Sequence, residues 1–148
     1  RDCLRCSMRV LISSEISFDI NEAISIEGNT GPYIHYAYTR CSSILRKAGK
    51  WKQILLNKDL LVEEKRLIKL LSAFPEITEK AASDMKPNYI CNYAYELATT
   101  LNNFYEKHRV LNAETEESKR FRLTLIQSTQ SILESCLELL GIKPVEKM

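Results

Sequence analysis

The chain has 148 residues, of which 45% are hydrophobic and 27% charged, and this composition is typical of one globular domain with its own core. No uninterrupted apolar run approaches the roughly 20 residues that a membrane span needs, and the mixed polar stretch that follows Arg1 is unlike a signal peptide. With only four Gly and four Pro, the sequence favours long helices over a sheet with many turns.

Charge is distributed unevenly along the chain. Between Glu27 and Asp59 there is no acidic residue, and this stretch carries a charge of +6, whereas the rest carries −4, which gives the overall +2. The six cations of the acid-free stretch are Arg40, Arg46, Lys47, Lys50, Lys52 and Lys58. Such a stretch is either a solubilising helix face or a local field that attracts a phosphate backbone.

The cysteines argue against a disulfide framework. There are five, an odd number, at positions 3, 6, 41, 91 and 136, and most stand among apolar residues. Free thiols in a reducing compartment fit this pattern, so we expect a cytoplasmic protein. Cys3 and Cys6 have a C-x-x-C spacing, but no second pair follows, and helical spacing explains them without a metal.

The first third of the chain predicts three helices. Two short ones cover residues 2–12 and 17–28, and the third runs from about Asn29 to Gly49, with Pro32 in its first turn and Gly49 as a left-handed C-cap. The apolar positions of the third helix recur every three or four residues at Ile34, Tyr38, Cys41, Leu45 and Ala48.

Further helices follow a linker-like stretch at 49–59. We predict one helix over 60–74, a second from Pro75 to about Lys86, a third that starts at Pro87, and a last one over 114–140 that Gly141 closes. The helix that starts at Pro87 has a wide apolar face made of Ile90, Cys91, Ala94, Leu97, Ala98, Leu101, Phe104 and Tyr105. The last has two seams, one of Leu125, Ile132, Cys136 and Leu139 and one of Ile126, Leu133, Leu137 and Leu140.

No strand-like alternation and no internal repeat is present, so the predicted fold is an all-α helical bundle in one domain. Catalytic chemistry is not indicated either. His35 and His108 are far apart and belong to no metal-ligand spacing, and neither a nucleophile elbow nor a phosphate-binding glycine loop occurs.

Tyrosines are concentrated beside the acid-free stretch. Tyr33, Tyr36 and Tyr38 lie close to it, and a tyrosine ring can stack on an unpaired base while its hydroxyl forms a hydrogen bond. The alternative is that these rings fill the core. For Asn29 and Thr30, helix capping competes in the same way with a direct RNA contact.

Several segments resemble the arginyl-tRNA synthetase family. The segment 27–40 reads EGNTGPYIHYAYTR, like a family signature at the junction of the catalytic and C-terminal helical domains. Residues 2–5 read DCLR, a variant of the D-A-L-R tetrapeptide of the anticodon-binding domain. The segment 92–105 and the ending of the chain, from Leu139 to Met148, are also similar to that domain, in the family's order.

The resemblance implies a helical anticodon-binding domain of a class I synthetase, whose parent enzyme joins L-arginine to its tRNA with ATP and Mg. The H-I-G-H and K-M-S-K-S elements of that class are absent from this sequence. We therefore expect a fragment without catalytic activity, cofactor or metal of its own, in which residues 1–27 form the junction with a catalytic domain of the same polypeptide. The expected partner is the anticodon loop of the arginine tRNA, with no membrane involved.

The same resemblance supplies candidate RNA contacts. Tyr33, Arg40, Tyr105 and the terminal Met148 match recurring family contacts, and the identity base of the loop is the middle C of the anticodon. Four residues after Tyr105, where some members have Trp, this chain has Arg109, whose guanidinium can also stack on a base.

Two other classes of function compete with this interpretation. One is a free-standing helical adaptor that binds tRNA for a tRNA-modifying complex, which would equally lack catalytic motifs. The other is a helical scaffold without an RNA role, which the ordered family motifs disfavour.

Overall fold

A computed structural model describes residues 31–54 and 60–145 of the chain. They form four helices, which we label α1 (Gly31–Ala48), α2 (Val62–Ser83), α3 (Asn88–Lys107) and α4 (Glu116–Leu139), and the described residues contain no strand. The all-α prediction is confirmed. The two short helices predicted over 2–12 and 17–28 lie outside the described residues.

Helices α3 and α4 form the centre of the bundle, because each packs against the other and against both α1 and α2. The stripe predicted on α3 is buried as expected, apart from the half-buried Tyr105. On α1, Ile34, Tyr38 and Cys41 are buried, whereas Leu45 and Ala48 are half-buried. The core therefore follows the predicted helical spacing closely.

One seam of α4 differs from its prediction. Leu139 is 53% exposed and Ile132 is half-buried, whereas Leu140 and Ile142 are fully buried. Just after Leu139 the helix ends in a C-cap, where Gly141 has a φ of 71°. The Gly141 N–H donates to the Glu138 carbonyl (2.8 Å) and the Ile142 N–H to the Leu137 carbonyl (2.9 Å), which turns Ile142 back into the core.

A helix break at Pro75 is predicted by the sequence, and this prediction is wrong. Helix α2 continues through Pro75 to Ser83. The missing N–H and the ring clash cost about 3 kcal/mol in a helix interior. Phe74 and Ile77, on either side of the proline, pack against the core, and Ala81 further on is buried. Burial of this second half offsets the proline.

A buried ion pair joins three parts of the chain. Arg122 of α4 donates from Nε to Glu64 Oε1 of α2 (3.0 Å), and both side chains are at most 5% exposed. Arg122 also donates from Nη1 to the Arg109 carbonyl (2.8 Å), and its Nη2 lies 3.3 Å from Glu114. The other oxygen of Glu64 accepts the Leu61 N–H (3.0 Å) at the start of α2. Each charge of this pair thus has several partners, as burial requires.

The end of α3 is held by a second, more exposed carboxylate. Glu63 accepts from Lys107 Nζ at 2.8 Å and lies 3.1 Å from His108 Nε2. Hydrogen bonds from Lys107 and His108 lower the pKa of Glu63 from 4.5 to about 2. His108 also lies against Phe104, with the ring centroids 5.6 Å apart, so its role in the fold is structural.

Three cysteines fall within the described part, and Cys41, Cys91 and Cys136 are all buried free thiols. Burial raises the pKa of both Cys41 and Cys136 to about 12, which makes them poor nucleophiles. Cys3 and Cys6 lie outside the described residues. Across 31–54 and 60–145, no helix combines the length and apolarity that a membrane crossing needs. These same stretches hold no group of His, Cys, Asp or Glu side chains suited to a metal ion.

Arg122→Ala should lower the free energy of unfolding by about 3–5 kcal/mol, because Glu64 would remain buried without its cation. Urea unfolding measures the loss. The double variant Glu64→Leu/Arg122→Met, which removes both charges and keeps the volume, should recover most of it. A loss below about 1 kcal/mol for Arg122→Ala would show that the pair is not a structural constraint.

Glu63→Gln should destabilise the protein at pH 7 but progressively less in acid. A carboxyl whose pKa is lowered on folding contributes stability above its unfolded value of 4.5, and this contribution disappears as the pH falls towards about 2. The difference in unfolding free energy between wild type and Glu63→Gln should therefore shrink below pH 4.5. Glu79→Gln is the control, because Glu79 is exposed on the same helix and pairs with no cation of the described residues, and an equal pH dependence there would contradict the assignment.

Candidate nucleic-acid interface

One face of α1 and one face of α3 meet in a cluster of aromatic and polar side chains. Tyr33, Tyr36 and Arg40 are spaced three and four residues apart on α1, so they share a face. Asn102 and Tyr105, three residues apart on α3, lie against them through the contacts described below. We call these five residues the tyrosine–arginine patch.

Asn102 bridges Tyr33 and Arg40, which lie about two helical turns apart on α1. Its Nδ2 donates to the Tyr33 hydroxyl at 3.0 Å, and its Oδ1 accepts from Arg40 Nη1 at 3.2 Å. Because a guanidinium has only donors, the oxygen of Asn102 must face Arg40, which leaves the amide nitrogen for Tyr33. One buried amide therefore sets the positions of both side chains.

Arg40 lies between two aromatic rings. Its guanidinium carbon is 4.5 Å from the centroid of Tyr105 and 5.6 Å from that of Tyr36. Within the part of the chain that the structure describes, it forms no ion pair with a carboxylate, and its side-chain hydrogen bond is the one to Asn102. A guanidinium has five N–H donors, and Asn102 is the hydrogen-bond partner of one of them in the described part of the chain.

The rings of the patch are accessible to different extents. Tyr36 is 39% exposed, whereas Tyr33, Arg40 and Tyr105 are half-buried. Tyr33 also packs on Tyr95 of α3, with centroids 5.3 Å apart and planes tilted by 50°. Tyr38, by contrast, is a core residue at 6% exposure. Of the two alternatives for the tyrosines, core filling therefore applies to Tyr38, whereas Tyr36 reaches the surface, where a base could stack on it.

The remaining cations of the acid-free stretch extend from the patch to the end of α1. Arg46, Lys47, Lys50 and Lys52 are exposed, while Lys58 lies outside the described residues. Lys47 is seven residues after Arg40 and so lies on the same face of α1. Positive charge therefore continues along this face beyond the patch.

The other predicted contacts are less directly placed. Arg109 is exposed but lies beyond α3, which ends at Lys107, so it does not continue the helix face of Tyr105. Its carbonyl is held by Arg122 (2.8 Å). Met148, Asn29 and Thr30 lie outside the described residues.

Asn102 is a site residue that the sequence did not predict, whereas Tyr36 was predicted only as a ring that either stacks on a base or fills the core. Asn102 is only 8% exposed and stands between Ala98 and Tyr105 on a stripe of α3 that is otherwise apolar or aromatic. A polar residue at such a position needs a partner, and this was the available signal. Tyr36 shares its helix face with Tyr33 and Arg40, a spacing that could have identified it.

Known proteins resemble this chain over most of its length. Residues 34–148 match the model of the DALR anticodon binding domain. The chain is 43% identical over 139 residues to an arginine–tRNA ligase of Pyrococcus abyssi, covering 90% of this chain and 22% of that protein. It is 40% identical over 142 residues to the arginine–tRNA ligase of Methanoregula boonei, covering 94% and 25%.

Solved structures show the same similarity in three dimensions. The arginyl-tRNA synthetase of Thermus thermophilus superposes with a TM-score of 0.91 at 37% identity, and that of Plasmodium falciparum with 0.83 at 33%. Each match covers 99% of this chain and 26% of the other. The chain thus spans about a quarter of the length of these relatives. It belongs to the DALR anticodon-binding domain family.

Proposed function

We propose that this chain is the tRNA-binding domain of an arginine–tRNA ligase and that the tyrosine–arginine patch receives bases of the anticodon loop. The observation that carries the proposal is the set of contacts made by the Arg40 side chain. This side chain is held between Tyr36 and Tyr105, is fixed by Asn102, and has no carboxylate partner in the part of the chain that is described.

Unpaired bases are the ligands that suit such a surface. Single-stranded RNA loops are read by stacking on aromatic rings and by hydrogen bonds to exposed base edges. Tyr36 and Tyr105 offer rings, while Arg40 offers donors and a charge that attracts the backbone. Double-stranded RNA would not expose base faces to these rings.

The donors of Arg40 also fit the expected identity base. The middle C of the arginine anticodon presents two acceptors, O2 and N3, on its pairing edge. Uracil replaces the acceptor at N3 by an N–H, which cannot accept a hydrogen bond from a guanidinium. Arg40 would therefore discriminate C from U, and Tyr33 and Tyr105 would support the loop around it.

Arg109 and Met148 complete the proposed set of contacts. Because Arg109 is exposed just past the end of α3, it would meet a base or phosphate at the border of the patch rather than inside it. Met148 is assigned through the family resemblance.

The wider role follows from the relatives. We propose that the parent polypeptide joins L-arginine to its tRNA using ATP and Mg in the cytoplasm. The catalytic domain would precede residues 1–27, and the 148-residue chain alone would be inactive. The similarity to complete arginine–tRNA ligases favours this role over a free-standing adaptor of a tRNA-modifying complex.

Binding of anticodon stem-loop RNAs that differ only in the middle base tests this proposal. Wild type should prefer C over U by about 10-fold or more, since one bidentate contact to a base edge discriminates by about 1–3 kcal/mol. Arg40→Ala should abolish the preference. Arg46→Ala, an exposed arginine of the same helix, should weaken both RNAs equally and leave the preference intact. A wild type without preference would refute anticodon reading.

Tyr105→Ala tests the stacking contact separately. Loss of one stacked base should cost about 1–3 kcal/mol of binding free energy. Because the ring is only half-buried, the helical circular dichroism and the urea midpoint should change little. If the variant instead unfolded while its residual folded fraction bound RNA normally, Tyr105 would be a core residue alone.

A further inference from the structure

A cleft of about 330 Å³ lies between the end of α1 and the start of α4, away from the tyrosine–arginine patch. We call it the basic cleft. Its walls come from the segment after α1 and the first turns of α4, and they carry four cations and one indole ring. The lining residues are Ala48, Lys50, Trp51, Lys52, Glu116, Lys119, Arg120 and Leu123.

Most cations of the basic cleft have no ion-pair partner among the described residues. Glu116 is the one acidic residue in its lining, and it is paired with Lys119 at 3.4 Å. Lys50, Lys52 and Arg120 are exposed and have no ion pair with any residue of the described part. Three cations thus line one concave site, and a cleft of one charge sign concentrates ions of the opposite sign.

The lysines of the cleft stand on a segment that is anchored rather than free. Gln53 donates from Nε2 to Gln127 Oε1 of α4 at 2.6 Å, and the Ile54 N–H donates to Thr124 Oγ1 at 3.4 Å. On the other side, Gln130 of α4 donates to Ser42 of α1 at 2.8 Å. These bonds hold the chain on either side of residues 50–52 against α4, and both lysines line the cleft from this segment.

The basic cleft is close enough to the patch for one short RNA strand to reach both sites. Arg40 and Ala48 are eight residues apart on α1, which is about 12 Å along the helix axis. Stacked nucleotides rise about 3.4 Å each along one strand, so a strand with a base at Arg40 reaches the cleft after about three or four nucleotides. Lys47, exposed on the face of Arg40, lies between the two sites.

We propose that the basic cleft binds backbone phosphates of the same RNA, where the anticodon loop passes into its stem. This inference rests on the proposed function and adds a second, sequence-independent contact to it. Lysine and arginine side chains commonly contact phosphate oxygens. Such contacts position a nucleic acid but do not read its sequence. The patch would then read the loop, and the cleft would fix the direction of the stem.

Charge reversal at the cleft is the test, with binding measured on the full 148-residue chain. Lys50→Glu/Lys52→Glu should lower the affinity for an anticodon stem-loop RNA by at least about 10-fold at low salt. The slope of log affinity against log salt should become shallower by about 2. The preference for C over U at the middle base should persist. The single-stranded loop sequence alone should lose much less affinity.

A matched control separates position from net charge. Lys65→Glu/Lys69→Glu makes the same charge change at two exposed lysines of α2 that line neither the patch nor the cleft. It should weaken binding by no more than about 2-fold. An equal loss in the control, or wild-type binding by Lys50→Glu/Lys52→Glu, would overturn the assignment of the cleft while leaving anticodon reading intact.

Trp51 provides a direct optical readout, because it is the single tryptophan of the chain and it lines the cleft. Its emission should change as stem-loop RNA saturates the protein and should not change in Lys50→Glu/Lys52→Glu. Emission that responds to inorganic phosphate but not to RNA would assign the cleft to a small free anion instead. If wild type bound no RNA at all, the proposed function and this inference would both fail.

Discussion

The buried ion pair of Glu64 and Arg122 is the constraint on which the arrangement of the helices depends. It joins the start of α2 to α4 and, through the Arg109 carbonyl, fixes the connection between α3 and α4. Buried charges cost several kcal/mol each unless every polar atom finds a partner, so alternative packings that separate these two residues are strongly disfavoured. The pair therefore selects one geometry more than it adds stability. The connection between α3 and α4 follows the end of α3, where Tyr105 contacts Arg40 of α1.

Among the residues that the structure describes, the cation of the tyrosine–arginine patch has no carboxylate partner. A guanidinium is well suited both to ion pairs with carboxylates and to stacking on aromatic rings, and Arg40 contacts an amide and two rings. Asn102 is neutral, so it orients the guanidinium without cancelling its charge. A surface built in this way retains attraction for an anionic, aromatic ligand, which is what an RNA loop offers.

Most of the helical architecture could be predicted from the sequence, because apolar spacing and the glycine caps at Gly49 and Gly141 act locally. The break predicted at Pro75 was wrong. The cost of a proline in a helix can be read from the sequence, whereas the burial that offsets this cost depends on tertiary packing. The candidate site was predicted in part. Tyr33 and Arg40 came from motif resemblance, but the role of Asn102 depends on how α1 and α3 pack, which no local pattern encodes.

The most direct test of the central claim is photo-crosslinking with a stem-loop RNA that carries 5-iodocytidine at the middle anticodon position. Irradiation of the complex, followed by peptide mass spectrometry, identifies the side chain that lies against this base. We expect attachment to Tyr33, Tyr36 or Tyr105, which competition with unmodified C-containing RNA should abolish and competition with the U-containing RNA should not. Attachment confined to residues outside the tyrosine–arginine patch would contradict the central claim.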